Sequence, residues 1–281
     1  MNKLRITDPF TEKLGLYVHE EDEKHLVIGY KGRTEHLNPY GFAHGGFLYA
    51  IGHIAARNMA KHCLNRDMQV VQATCQYLAT VTATPILASA KLLSDIGTGI
   101  VCQVRVLDGN NNVCFLQTLV MNDTVDDGVE RQQPKVYKGP TGGKYDTGHQ
   151  MFNAKGTFFD DLCRIGAPYA DAKGIHVSTD LYTDNRSDAW YVHQGVIFTL
   201  CDNCAAACVA MMQQKRPVTV SATIHYLRPA TVGPIVATGT LLRGGNKLAY
   251  YNIDVRDGNG KKVATSQYIM NCTDWPNMKR K

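Results

Sequence analysis

The chain has 281 residues, 44% of them hydrophobic, and a formal net charge of +5. That is enough for two ordinary domains or one large one, and so modest a basic excess argues against nucleic-acid binding. Its nine cysteines are scattered through apolar segments, which fits reduced thiols and a cytoplasmic location better than a disulfide scaffold. The leading MNKLRITDPFTEKLG lacks the apolar run of a signal peptide, and no stretch reads as long enough to span a membrane.

In chain order, residues 9–18 predict a small helix followed by a strand or two. A long helix runs from Gly45 to about Cys63, within HGGFLYAIGHIAARNMAKHC. Alternating β-type runs follow, to about Asn122. Residues 123–155, rich in Gly, Pro, Asp and Lys, read as a crossing linker that is partly mobile. The order then recurs. A short lead segment at 158–165 precedes a long helix from Gly195 to about Gln213, within HQGVIFTLCDNCAAACVAMMQQ. Four strands are expected at 218–227, 235–242, 248–256 and 262–271, with hairpin turns at 243–246 and 257–260. Lys279, Arg280 and Lys281 end a solvated basic tail.

The recurrence is a duplication. A shift of 149 residues lays His44 on His193, Gly46 on Gly195 and VQATCQYL (71–78) on VSATIHYL (220–227), without a gap. It continues to Met121-Asn122 on Met270-Asn271. The division is a first domain at 1–122, a linker at 123–155, a second domain at 156–275 and the tail at 276–281. One long helix and an antiparallel meander per copy predict an α+β fold, each half a sheet wrapped around its helix.

Asp202 has no Asp, Glu, Lys or Arg within ten residues on either side, in an apolar helix. Burying it there demands compensation. A helix N-terminus presents free N–H groups to a carbonyl oxygen gaining charge, and hydrolysis also needs a base near the same carbon. Asp202 lies seven residues past Gly195, about 10 Å along the axis at ~1.5 Å per residue. One helix cannot supply both parts. Two antiparallel helices packed roughly 8–10 Å apart can, so the expected site is a composite between the halves.

Here the residues resemble those of double hot dog thioesterases of the phenylacetate and 4-hydroxybenzoyl-CoA branch. The motif is an Asn, a His-Gly-Gly whose His lies six residues on, an Asp nine residues after the His, and a Ser or Thr at the start of the next strand. The first copy has Asn38, His44, Gly45 and Gly46, but His53 at the Asp position and Val70 at the Ser/Thr position. The second has His193, Gln194, Gly195, Asp202 and Thr219, with Ser187 at the Asn position. The resemblance therefore implies a tandem hot dog with one complete site, built from Asn38, His44, Gly45, Asp202 and Thr219. The reciprocal site, with Ser187, His193, Gln194, His53 and Val70, lacks its carboxylate.

By the same resemblance the Gly45 N–H polarises the thioester carbonyl and Asn38 orients substrate or water. Asp202 is general base or nucleophile, Thr219 holds the water or Asp202, and His44 fixes the loop. Gly46, Arg228, Arg243 and Lys247 are candidate substrate contacts, and Arg216 is a further cation that could meet coenzyme A phosphates. Cys201, Cys204 and Cys208 lie on one helical stripe and read as small core residues rather than metal ligands. The expectation is an acyl-CoA hydrolase with no cofactor beyond the coenzyme A of its substrate, homo-oligomeric and without membrane insertion. The alternatives are a degenerate acyl-CoA-binding protein and a hot dog hydratase or dehydratase.

Overall fold

Duplicated sequence produces duplicated elements. A computed structural model describes residues 3–38, 40–81, 84–123, 131–138 and 159–274. The first half contains α1 (Pro9–Leu14), β1 (Tyr17–Glu21), β2 (His25–Tyr30), a 3-10 turn (Thr34–His36), α2 (Gly45–Leu64), β3 (Met68–Tyr77), β4 (Ile86–Asp95), β5 (Gly99–Leu107) and β6 (Val113–Asp123). The second contains α3 (Phe159–Leu162), β7 (Tyr169–Asp171), β8 (Gly174–Thr179), α4 (Gln194–Gln213), β9 (Arg216–Tyr226), β10 (Ile235–Gly244), β11 (Leu248–Arg256) and β12 (Lys262–Thr273). The offset that aligns the sequences carries β2 onto β8, α2 onto α4, β4 onto β10 and β5 onto β11 residue for residue. The duplication thus reaches into lead segments that share no identities at those positions.

All twelve strands join one sheet in the order β1-β2-β4-β5-β6-β3-β9-β12-β11-β10-β8-β7. The order reads the same from either end once each strand is replaced by its equivalent. At the centre β3 pairs with β9 antiparallel, and Thr74 stands opposite Thr223, its own counterpart. The helices cross at an equivalent point, where Tyr49 and Phe198 stack with centroids 3.8 Å apart and planes 4° from parallel. These two self-pairings mark an approximate two-fold axis through sheet and helices. In β11, buried Ala249, Tyr251, Ile253 and Val255 alternate with more exposed neighbours, the period-two pattern of a sheet with one face on a core.

α4 corrects one expectation. Its length and a mean hydropathy of 1.7 would suffice to cross a membrane, yet 72% of that stretch is buried within the protein. Its apolarity comes from being enclosed by sheet and partner helix. Cys201, Cys204 and Cys208 are wholly buried there. Strand ends also move: β9 begins at Arg216, opposite Thr273. An irregularity between Leu241 and Arg243 keeps β10 paired to Gly244, so the expected turn at 243–246 starts later. Within the expected linker, Lys135 bridges to Tyr182 and the Gln132 side chain accepts the Gly233 N–H at 3.0 Å, so this stretch is docked on the second half. The predicted mobility at 124–130 and 139–155, and the basic tail, lie outside the described residues.

Candidate functional site

Small residues let the two central helices approach. A Cβ on Gly46 would collide with the Thr199 side chain, and one on Gly195 would lie 3.0 Å from the Ala50 Cβ. These contacts are related by the internal symmetry. They place the N-terminus of each helix against the middle of the other.

The first consequence is Asp202 facing Gly45. A Cβ built on Gly45 would lie 2.7 Å from Asp202 Oδ2, so the carboxylate occupies the space that the missing side chain leaves. The Gly45 N–H, at the start of α2, has no hydrogen-bond partner among the described residues. Tyr77 Oη donates to the Gly45 carbonyl at 3.1 Å, and Thr219 Oγ1 donates to Asp202 Oδ1 at 2.8 Å. Burial raises the pKa of Asp202; His44 and the Thr219 hydrogen bond oppose this, and Asp160 adds to it.

His44 caps α2: its Nδ1 accepts the Gly46 N–H at 2.9 Å. Its Nε2 lies 3.1 Å from Asp160 Oδ1 and 3.2 Å from Asn203 Oδ1, and its Nδ1 lies 4.0 Å from Asp202 Oδ2. Burial lowers the pKa of His44, but Asp160, Asp202 and Asn203 outweigh it and the net direction is upward. The cap acts the other way, because Nδ1 cannot accept the Gly46 N–H once it carries a proton. Asn38 organises the preceding loop, its Oδ1 accepting from Tyr40 N at 2.9 Å and Phe42 N at 3.2 Å. Only its amide N–H groups remain for a ligand.

These residues border a cavity of about 750 Å³. From Asp202 it follows α4 past Ala206 and Ala210 to Gln214, with Leu48, Val177 and Val218 among its other walls. Arg216 lines it with its guanidinium 4.8 Å from the Tyr40 ring centre. Asp160, 4% exposed, also lines it. Sequence reasoning missed Asp160. It sits in the four-residue α3, too short for periodicity, and only tertiary packing brings it to His44.

The symmetry-related position is closed. Gln194 stands where Gly45 stands, and its side chain fills the corresponding space. Its Oε1 lies 2.9 Å from His53 Nε2 and accepts from Val70 N at 3.2 Å, while its Nε2 donates to Val70 O at 2.7 Å. Burial lowers the pKa of both His53 and His193, and nearby Arg57 adds to this. His193 caps α4 through Nδ1 at 3.0 Å, as His44 caps α2.

Residues 191–264 match the thioesterase superfamily. Solved structures of similar architecture include a candidate thioesterase II from Thermobifida fusca (16% identity, TM-score 0.65, covering 97% of this chain and 98% of that one). A hot dog protein of unknown function from Alicyclobacillus acidocaldarius is similar too (14%, 0.64, 96% and 100%). So is the acyl-CoA thioesterase II TesB2 of Mycobacterium marinum (11%, 0.63, 94% and 98%). The chain has the hot dog fold, and the match to the thioesterase superfamily lies within its second half, at residues 191–264. No curated protein is similar enough in sequence to match it.

Within this hot dog frame, Asn38, His44, Gly45, Asp202 and Thr219 meet at one cavity. Other expected contacts do not. Gly46 packs against Thr199 between the helices and does not border the cavity; of the two glycines only Gly45 does. Arg228, Arg243 and Lys247 are exposed and do not line it. Arg228 follows the end of β9 remote from Thr219, and Arg243 and Lys247 belong to the β10–β11 hairpin, two strands away from β9. Arg216 is the cation that does line it.

Proposed function

We propose that the chain is a tandem hot dog enzyme that hydrolyses an acyl-CoA, or a related acyl thioester, at the single site around Asp202. One observation carries this reading: a buried carboxylate faces a free helix N-terminus across a cavity, with each supplied by a different half. The Gly45 N–H and the positive end of the α2 dipole stabilise the carbonyl oxygen as it becomes an oxyanion. Asp202, its proton affinity raised by burial, takes a proton from water as that water attacks the carbonyl carbon. The carbon–sulfur bond then breaks and the thiol leaves with a proton. Attack by Asp202 itself, through a transient anhydride, uses the same geometry. Thr219 fixes the carboxylate, and the apolar wall along α4 accommodates an acyl chain.

The reciprocal position takes no part, because Gln194 fills it. The test is turnover of a panel of acyl-CoAs followed with a thiol-reactive dye. Asp202→Asn keeps an acceptor for Thr219 and removes the base, so hydrolysis is expected to fall by about 10²–10⁴-fold. Undiminished turnover in that variant would sink the mechanism. Tight binding of acyl-CoA by the wild type without release of thiol would establish the binding protein instead.

A further inference from the structure

We propose that Asp160 is a positioning residue for the candidate site: it holds His44 in the Nε2–H tautomer, and thereby keeps the start of α2 aimed at the substrate carbonyl. The catalytic part of this inference rests on the hydrolase reading above. The assignment of the tautomer does not.

The argument is one of donors and acceptors. On one side of the ring, Nδ1 receives the Gly46 N–H at 2.9 Å. A backbone N–H can only donate, so that nitrogen is bare. On the other side, Nε2 faces two acceptors, Asp160 Oδ1 at 3.1 Å and Asn203 Oδ1 at 3.2 Å, so that nitrogen carries the proton. Asn203 is itself oriented by Asp160, donating from Nδ2 to Asp160 Oδ1 at 2.6 Å. Asp160 is thus one partner of Nε2 and orients the other. Among the described residues, Asp202 also lies near the ring, 4.0 Å from Nδ1, as does the Phe159 ring, 5.6 Å between centroids.

Without Asp160, Nε2 loses one acceptor and Asn203 loses the anchor that orients the other, so the proton could move to Nδ1, toward Asp202. The Gly46 N–H would then lose its cap. The first turn of α2 would be free to shift, and with it the Gly45 N–H one residue away. Asp160 acts on the reaction through His44 and never touches the scissile bond.

The other half supplies an internal comparison. His193 makes the same cap to Gly195, but the position equivalent to Asp160 is Thr11. The nearest carboxylate, Asp8, is 3.6 Å away, and His193 Nε2 has no hydrogen-bond partner among the described residues. The half-site that lost its carboxylate also lacks the acceptor. The half-site that kept Asp202 has both.

Two variants and one spectroscopic signal test this. Asp160→Asn retains an accepting Oδ1, whereas Asp160→Ala removes it. Histidine-selective ¹⁵N NMR reads the tautomer directly, with the His44 signals assigned by their loss in His44→Gln. In the wild type Nε2 is expected protonated and Nδ1 bare. That pattern is expected to persist in Asp160→Asn and to become a mixture in Asp160→Ala. With acyl-CoA substrate, Asp160→Ala is expected to lower kcat about 10–100-fold, the scale of a ~1 Å misplacement, with KM within about threefold. Asp160→Asn is expected to stay within about threefold of wild type in both constants.

An imidazolium or an Nδ1–H tautomer for His44 in the wild-type protein would overturn the proposal, even if Asp160→Ala did not fold. So would an Asp160→Ala variant with unchanged tautomer and kcat, or an Asp160→Asn variant as impaired as the alanine. If the wild type hydrolyses no thioester, the hydrolase reading fails, while the wild-type NMR spectrum still decides the tautomer.

Discussion

Gly45→Ala is the sharpest probe of the composite site. The added methyl carbon would stand 2.7 Å from Asp202 Oδ2 and 3.1 Å from Tyr77 Oη. Ordinary contact begins near 3.4 Å, so the carboxylate and the helix must separate by about 0.7 Å or more. Neither is free to do so without loss, since Thr219 holds Asp202 and His44 and Tyr77 hold the start of α2. A displacement approaching 1 Å between reacting groups can cost ~10²-fold in rate. The expected fall in kcat/KM is therefore roughly 10–100-fold, equivalent to about 1.4–2.7 kcal/mol of transition-state stabilisation. Folding should respond less than turnover, because alanine is a better helix former than glycine and the side chains it crowds, Asp202 and Tyr77, border the cavity. Thiol release from acyl-CoA and thermal denaturation, measured on the same sample, separate the two effects. A Gly45→Ala enzyme within about threefold of wild type would refute the idea that Gly45 and Asp202 enclose the reacting carbonyl.

Gly46→Ala should do the reverse, because its methyl meets Thr199 in the packed helix contact; overpacking of about 1–3 kcal/mol should lower Tm, read by calorimetry. Asp202→Asn should be more stable than wild type at neutral pH and should lose that advantage toward acid. The carboxyl pKa is raised by burial in the folded state, so wild-type stability declines as pH rises through the ordinary carboxylate range up to the folded pKa. Each unit of elevation corresponds to about 1.4 kcal/mol, and urea midpoints of both proteins across that pH range check the sign. Gln194→Ala should be destabilised by about 1–3 kcal/mol, since Val70 N and O lose their partners in a buried place. Its turnover per folded molecule should remain close to wild type. His53→Ala, assayed likewise, should also retain turnover; a loss as severe as in Asp202→Asn would show that the two half-sites are not independent.

The residues differ in how far sequence alone revealed them. Asp202, Thr219 and His53 were legible because the duplication supplies its own alignment, so a change at one position stands out against its twin. The central helix and four-strand meander were legible from alternation and turns. Gly45 and Gly46 were not separable, since adjacent glycines carry no sign of which one faces the other helix. Arg228, Arg243 and Lys247 lie outside the cavity, which their sequence could not reveal because a surface cation looks the same wherever it points. Arg216 has its place through the Tyr40 loop, more than 170 residues earlier in the chain. Asp160 was hidden for the same reason, with partners at His44 and Asn203 that no local pattern announces.

Covalent linkage of the halves has a consequence for how such a site can change. In a dimer of identical chains every substitution is made twice, and a residue that improves one active centre must be tolerated in the other. Here Gln194 and Gly45, or His53 and Asp202, hold equivalent places and are inherited separately. One of the two positions is a buttress, with Gln194 cross-linking the first half through His53 and Val70, while the other is open to the cavity. The protein is in effect its own heterozygote, and each half serves as the matched control for the other.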